Sequence, residues 1–367
     1  MRDASAQVRE LIREGGSNVQ WVFDLLYDGD RRLTNVPVEQ GASPTWDGSR
    51  FVVGSGNVRV VWDDDAARSM IPRSMSDWFA PFGAELQVDC IVGAGVFSER
   101  IPQGRFVITA VPDATEAGML WDGRLIHAGE SFTLTLKDRL AKVQRDDFPY
   151  PTAPRSTSAW SEIQSITGLS VVRNVPDVTV PDTPYEGSRE EALKAIFDRL
   201  DAWPHLDSSG ALTSRPKAWP DPVDQFVNVV AAPPRLTSED TWNRVAVTGR
   251  SPEGEPVYSV REVRSGPLRV RNADGTASPF GGATFPYKSD KLSTQAEVDD
   301  YANGLLPRVA RVRSQTRDVV ETFNPLREVG DVVTFADTAR YGGQLNRIRT
   351  VTHQGGATKT TVEVADE

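Results

Sequence analysis

The chain has 367 residues, a formal net charge of −10 and an apolar fraction of 39%. Its length suggests roughly two or three domains, its acidic balance argues against tight binding to nucleic acid phosphates, and its single cysteine excludes an internal disulfide framework. Since no segment approaches the ~20 apolar residues of a membrane helix and the charged N-terminus is unlike a signal peptide, we expect synthesis in a cytoplasm without a cleaved signal.

The first 148 residues predict a short helix followed by a β-rich domain. Residues 3–16 place Val8, Leu11 and Ile12 on one helical face before a pair of glycines. From Val19 to about residue 145, short alternating strands separated by turn residues indicate an antiparallel barrel or sandwich. Cys90 lies in one of these strands and is interpreted as a small core residue.

Residues 149–236 predict an α+β middle module behind a proline-rich connector at 146–158. A first helix, from STSAWSEIQSIT, ends at Gly168. A second follows Ser188, whose spacing to Glu191 is that of a capping box. A hairpin is expected at 205–216. The apolar stripe of the second helix consists of Leu193, Ile196, Phe197 and Leu200.

Residues 237–367 predict strands, one helix and a second β-barrel. The strands resume at Trp242, and a Gly- and Pro-rich loop is expected at 272–287. Thr294 and Glu297 repeat the capping-box spacing, and Pro307 is expected to end or kink the helix that they begin. Its buried face is predicted to contain Val298, Tyr301, Ala302, Leu305 and Leu306.

A weak internal repeat connects the two ends of the chain. GAELQVDCIV, GRFVITAVPD and ESFTLTLKDR, which begin at Gly83, Gly104 and Glu130, correspond to GDVVTF, GGQLNRIRTVTH and TKTTVEVADE near the C-terminus. Each set has two glycine-led strands and a third alternating strand. The fold expected from this is mainly β, with two similar antiparallel β-barrel domains flanking the small helical and hairpin module, and with Gly83 and Gly330 at equivalent positions.

The residues that could carry chemistry show no catalytic or metal-binding pattern. His127, His205 and His353 are far apart and fit no metal-ligand spacing. Asp63–Asp65 lack the spacing and the glycine of a calcium loop. Glu190 and Glu191 suit the first turn of a helix, and the Asp146–Asp147 pair suits a solvated linker. We therefore predict no catalytic, cofactor-binding or metal-binding residue.

Nine tryptophans raise the alternative of carbohydrate stacking. Trp160, Trp203 and Trp242 have apolar neighbours and are interpreted as core anchors. Four others, at strand ends or turns, favour core packing or a subunit interface over sugar binding. These four are Trp46, Trp62, Trp78 and Trp121.

The order of these elements resembles the central tail-hub proteins of tailed bacteriophages and the baseplate hubs of contractile tails and related injection machines. PLREVGDVVTF matches the family pattern P-x-x-x-x-G-D-x-V at Pro325, Gly330, Asp331 and Val333. EALKAIFDRLDAWPHLDSSGALTSRP is similar to the family's middle module. The first 150 residues look like those of minor tail proteins of phages that infect actinobacteria.

The resemblance implies a non-enzymatic structural protein of the virion tail tip. The family forms homotrimers in which two similar barrels per chain alternate around a ring, adapting a six-fold tail tube to a three-fold tip. Its implied partners are other copies of itself, a distal tail or tail tube protein above, and a tail-tip, spike or tape-measure protein below and within. Genome DNA passes through the channel during ejection. No attached peptidase or lysozyme domain is recognised, so cell-wall cleavage would come from another protein.

Three alternatives stay open beside the hub. They are a hexameric distal tail ring protein, a binding module for host carbohydrate or protein, and a cell-wall hydrolase. For the hub, the net charge predicts an acidic or neutral bore that lets DNA slide past. The opposite arrangement is a basic bore lined by Arg308, Arg311 and Arg313.

Overall fold

The computed structural model divides the chain into two compact units. The larger is Met1–Pro233 together with Arg317–Glu367, and the smaller is Pro234–Thr316. These units are bounded differently from the three predicted domains, whose limits stay a prediction. The residues that the structure describes are 1–62, 69–122, 124–235, 238, 241–252, 254–289, 292–310 and 316–365.

Short strands and short helices follow one another along the chain. The first elements are α1 (Ala6–Glu14), β1 (Asn18–Tyr27), β2 (Asp30–Leu33), β3 (Thr45–Asp47), β4 (Gly54–Trp62), β5 (Ala84–Ala94), β6 (Phe97–Ala110), β7 (Ala114–Trp121), β8 (Arg124–Asp138) and α2 (Leu140–Gln144). The middle segment contains α3 (Ala159–Thr167), α4 (Arg189–Arg199), β9 (Ala202–Leu206), β10 (Leu212–Pro216), β11 (Asp224–Phe226) and β12 (Val229–Ala231). The remaining elements are β13 (Pro234–Arg235), β14 (Arg244–Arg250), β15 (Pro256–Glu262), β16 (Thr284–Lys288), α5 (Gln295–Val309), β17 (Thr316–Thr322), β18 (Val332–Phe335), α6 (Thr338–Tyr341), β19 (Asn346–Gln354) and β20 (Ala357–Val364).

One open sheet runs through the larger unit. Its main path is β12-β17-β20-β19-β3-β4-β8-β6-β5-β1-β2. The short strand β3 joins the two ends of the chain, because Trp46 lies opposite both Gly54 of β4 and Val351 of β19. The prediction of a mainly β chain is confirmed. Instead of two closed barrels, however, the described residues form this continuous sheet, since β3 pairs along both of its edges.

The predicted repeat is visible in the order of the strands. In the first half, β5, β6 and β8 are neighbours in that order, and β4 follows β8. In the second half, β18, β19 and β20 are neighbours in that order, and β17 follows β20. Gly83 and Gly330 come just before β5 and β18, with φ of 110° and 87°. The connectivity thus repeats as expected, while superposition of the two sets as barrel-like halves stays a prediction.

The middle helices form as the sequence predicts. Ser158 and Ser188 cap α3 and α4 with their side chains, and Gly168 ends α3 in the left-handed region. The apolar stripe of α4 is buried against α3, where the rings of Phe197 and Trp160 lie 6.1 Å apart and nearly perpendicular. The predicted burial of this stripe is confirmed, in a core to which Leu140 and Val143 of α2 also contribute.

The smaller unit packs α5 against a three-stranded sheet of order β15-β14-β16. Thr294 and Glu297 form the predicted capping box. Val298 and Ala302 are fully buried, whereas the predicted burial of Tyr301 is wrong, since its side chain is exposed. The sequence predicts that Pro307 ends or kinks the helix; an end at Pro307 is wrong, because α5 continues to Val309, and a kink stays a prediction. A proline removes only one backbone donor, and buried Val309 anchors the last turn in the core of this unit.

The helices of the described ranges do not meet the requirements of a membrane-spanning helix. Within those ranges, no helix combines the length and the apolar character that crossing a bilayer requires.

Candidate functional site

Three of the residues considered for catalysis or metal binding are buried inside strands. His205 and His353 are buried in β9 and β19, whereas the His127 side chain and Asp63–Asp65 lie outside the described residues. Across the described ranges, no three His, Cys, Asp or Glu side chains are grouped as a metal site requires. Cys90 is buried in β5, and burial raises the pKa of its thiol to about 12, so it stays a neutral, weakly nucleophilic thiol at neutral pH.

Two of the charged residues singled out in the sequence form ion pairs. Glu190 pairs with Lys194 one turn along α4, and Asp146 lies 2.9 Å from Nε of Arg189. Arg308 is exposed near the end of α5, but Arg311 and Arg313 lie outside the described residues. The choice between an acidic and a basic bore therefore stays open.

The tryptophans whose side chains are described are buried or half-buried. Trp160 is 1% exposed, and its indole N–H donates to the carbonyl of Val175 at 3.1 Å. Trp203 and Trp219 lie on the guanidinium of Arg347, at 5.0 and 4.4 Å from its central carbon. These contacts are those of packing anchors and do not make a row of exposed rings for a sugar.

Two of the segments that carried the family resemblance meet in the larger unit. Arg215, at the end of the β9–β10 hairpin, lies 3.0 Å from Glu328 and 3.4 Å from Asp331. Asp331 is buried and also accepts the backbone N–H of Glu328 at 3.0 Å. A Cβ at Gly330 would lie 2.9 Å from Cγ of Arg215, and the φ of Gly330 is 87°. The glycine and aspartate of this motif thus hold the hairpin against the start of β18.

An open cleft of about 850 Å³ lies beside the start of β1. Its walls are Ser17–Trp21 and the segment Asn35–Ser43. Gly15, the turn between β19 and β20 at His353–Gly356, and the end of β17 at Thr322 with the adjacent Phe323 complete the lining. Among the described lining residues, Glu39 is the one with a carboxylate or other charged side chain. The cleft is therefore a nearly uncharged concavity in an acidic protein.

One wall of this cleft is an unpaired strand edge. β1 pairs with β5 along its whole length, but β2 pairs only with Leu25–Tyr27. Nearer the start of β1, the Phe23 carbonyl accepts the Val36 N–H at 2.7 Å. The backbone groups of Phe23 therefore point away from β5, along the second edge of β1. Because backbone groups alternate along a strand, those of Val19 and Trp21 point to the same edge as those of Phe23. At that edge, no residue that the structure describes pairs with Val19 or Trp21.

The floor of the cleft is aromatic. The His353 ring centre lies 5.4 Å from that of Trp21 and 5.0 Å from that of Phe323. Its Nδ1 is 3.0 Å from Oγ1 of Thr358, while Nε2 is buried with no hydrogen-bond partner among the described residues. Burial, assisted by the charge of Arg2, lowers the pKa of His353 to about 3. The floor is thus neutral at physiological pH.

Replacing His353 with Gln should make the free energy of unfolding depend less on pH in the acidic range. The folded-state pKa of about 3 lies below the ordinary value of 6.5, so the unfolded chain binds the extra proton as the pH falls between these values. The parent should lose about 1.4 kcal/mol of unfolding free energy per pH unit from this group over that range. Urea unfolding from pH 4.5 to 8 measures the difference. Above pH 7 the two curves should run parallel, and parallel curves below pH 6 would contradict the assignment.

Sequence reasoning missed this cleft. Its lining comes from four separate segments, two near the N-terminus and two beyond residue 321, and no local pattern connects them. The one available signal was the length of β1, whose alternating residues extend beyond the reach of the hairpin with β2. That signal becomes informative only when the pairing partners of the strand are known.

Comparisons with known proteins identify solved structures of similar fold. No protein-family model and no curated protein matches the chain. Among solved structures it is similar to a tail protein from Neisseria meningitidis MC58, with a TM-score of 0.55, 12% identity and coverage of 94% of this chain and 96% of that one. For the 43 kDa tail protein of prophage MuSo2 from Shewanella oneidensis, the TM-score is 0.56 and the identity 12%, with coverage of 94% and 98%.

A third similar structure is a chain of the Francisella PdpA–VgrG complex. Its TM-score is 0.52 at 7% identity, and the match covers 95% of this chain but 58% of that one. At these identities the likeness concerns the fold alone. Over nearly its whole length, the chain has the fold of the Neisseria and Shewanella tail proteins.

Proposed function

We propose that this chain is a structural protein of a phage tail, forming the central hub at the tail tip. The observation that carries the proposal is the repeated strand order, β5-β6-β8-β4 and β18-β19-β20-β17, in a chain whose fold matches tail proteins over 94% of its length. A chain with two similar sets of strands presents six such sets when three copies assemble. Such a homotrimer is suited to adapting a six-fold tail tube to a three-fold tip.

The proposed partners follow from this position. A distal tail or tail tube protein would contact one face of the ring, and a tail-tip, spike or tape-measure protein the other. The ring would surround part of the DNA ejection channel without binding DNA tightly. Each chain carries a net charge of −10, and negative charges on the protein repel the phosphates of DNA. No catalytic role is proposed, and the virion tail is the proposed location.

Subunit stoichiometry tests the hub directly. Native mass spectrometry of the purified chain and quantitative mass spectrometry of purified tails should both give three copies per assembly. Six copies per tail would favour a distal tail ring protein instead. A chain that stays monomeric and is missing from purified tails would overturn the proposal.

A further inference from the structure

We propose that the cleft beside β1 accepts an extended, uncharged strand of another tail polypeptide, which pairs with β1 at Val19 and Trp21. That the partner belongs to a tail rests on the proposed function. The pairing itself rests on the geometry of the cleft.

The backbone provides the first argument. Val19 and Trp21 turn their N–H and C=O groups toward the cleft, on the edge where Phe23 accepts the N–H of Val36. Unpaired donors and acceptors along a strand edge are a template for an added strand. The five residues Asn18–Val22 of this edge span about 16 Å. An edge of that length can pair with a segment of similar length.

The size and polarity of the cleft define the occupant. Its volume of about 850 Å³ is near the upper end of ordinary ligand pockets and suits a peptide segment better than a small metabolite. A charged occupant would lose hydration and find almost no opposite charge in this lining. The aromatic floor formed by Trp21, Phe323 and His353 suits one apolar side chain of the added strand.

Neither strand at an end of the main sheet path, β2 or β12, makes a second copy of this chain a suitable occupant of the cleft. β2 is charged at three of its four residues, DRR of DRRL, and does not match a neutral cleft. β12 is apolar, but it lies beside the same cleft, since the carbonyl of Asn228 accepts the N–H of the cleft residue Thr322 at 3.1 Å. A different polypeptide is therefore the occupant that we propose.

A peptide experiment tests the pairing on the purified full-length chain. The probe is a seven-residue peptide of alternating threonine and valine with blocked ends, followed by hydrogen exchange at the amides of Val19 and Trp21. Exchange should slow by at least about tenfold at millimolar peptide. A peptide with glutamate in place of threonine should give no protection. Unchanged exchange with the neutral peptide, or equal protection by both, would overturn the proposal.

Two proline variants provide a matched pair of controls. In Val19→Pro the lost N–H points into the cleft, so the fold should persist, because proline is tolerated at such an edge, and peptide protection at Trp21 should disappear. In Gln20→Pro the lost N–H points toward β5, so the melting temperature should fall. Retained protection in a folded Val19→Pro would contradict the assignment of the edge.

Purified tails test the partner. The amides of Val19 and Trp21 should exchange more slowly in tails than in the free chain, and a cross-linker on a Gln20→Cys variant should capture a different tail polypeptide. Unchanged exchange in tails that contain the chain, or capture of a second copy, would overturn the chosen partner. If the chain is missing from tails, the proposed function fails, and the peptide experiment still decides the pairing.

Discussion

Replacing Arg327 with Met should destabilise the larger unit by about 3–5 kcal/mol, because it leaves a buried carboxylate without its counter-charge. Arg327 is 1% exposed and Glu321 3%. The guanidinium makes two bonds to Glu321, at 2.7 and 3.0 Å, and one of 2.8 Å to Asp224. It also lies over the ring of Phe226 at 4.7 Å. After the substitution, the Asn324 side chain still bonds to Glu321, but a neutral amide supplies no counter-charge.

Urea unfolding at pH 7.5 measures this loss, and Arg50→Met is the matched control. Arg50 is exposed and pairs with Asp47 at the surface, so its loss should cost less than about 1 kcal/mol. Adding Glu321→Leu to Arg327→Met should recover much of the lost stability, since the uncompensated charge is then absent. Equal effects of the two Arg variants would show that the Arg327 network contributes no more than a surface pair.

The pH dependence gives an independent check on the same network. Burial raises the pKa of Glu321, and removing Arg327 removes the charge that opposes this rise. Because a raised folded-state pKa favours the protonated form, the variant should regain stability relative to the parent as the pH falls. The gap between the two free energies of unfolding should therefore be narrower at pH 5 than at pH 8.

Phe197→Ala should also cost about 3–5 kcal/mol, through lost transfer free energy and a cavity that the surroundings fill only in part. Phe197 is 1% exposed and packs among Leu193, Ile196 and Trp160 in the core of the middle module. The neighbouring residues belong to helices fixed by their own caps, which limits collapse into the cavity.

Phe82→Ala provides the matched control for this substitution. Its ring is 53% exposed, so the same chemical change should alter the free energy of unfolding by only about 0.5 kcal/mol. Chemical denaturation of both variants beside the parent gives the comparison. A Phe197→Ala chain with an unchanged unfolding midpoint would contradict the packing of α4.

Local features of the fold could be predicted from the sequence because their causes are local. The stripe from Leu193 to Leu200 repeats at helical spacing, and the capping box of Thr294 and Glu297 lies within four residues. The continuation of α5 past Pro307 could not be predicted. It depends on Val309 fitting a core to which β14 contributes, which is a tertiary contact.

The sequence by itself determined the β-rich class, the helices with their caps, the buried single cysteine and the repeated order of strands. Tertiary structure decided how these parts join. β3, only three residues long, links both halves into one sheet, and the cleft forms where four separate segments meet. Strand pairing is made by backbone groups that every residue carries, so the identity of a distant partner leaves little trace in the side chains. Helix periodicity and caps act within a few residues, and for that reason they can be recognised along the chain.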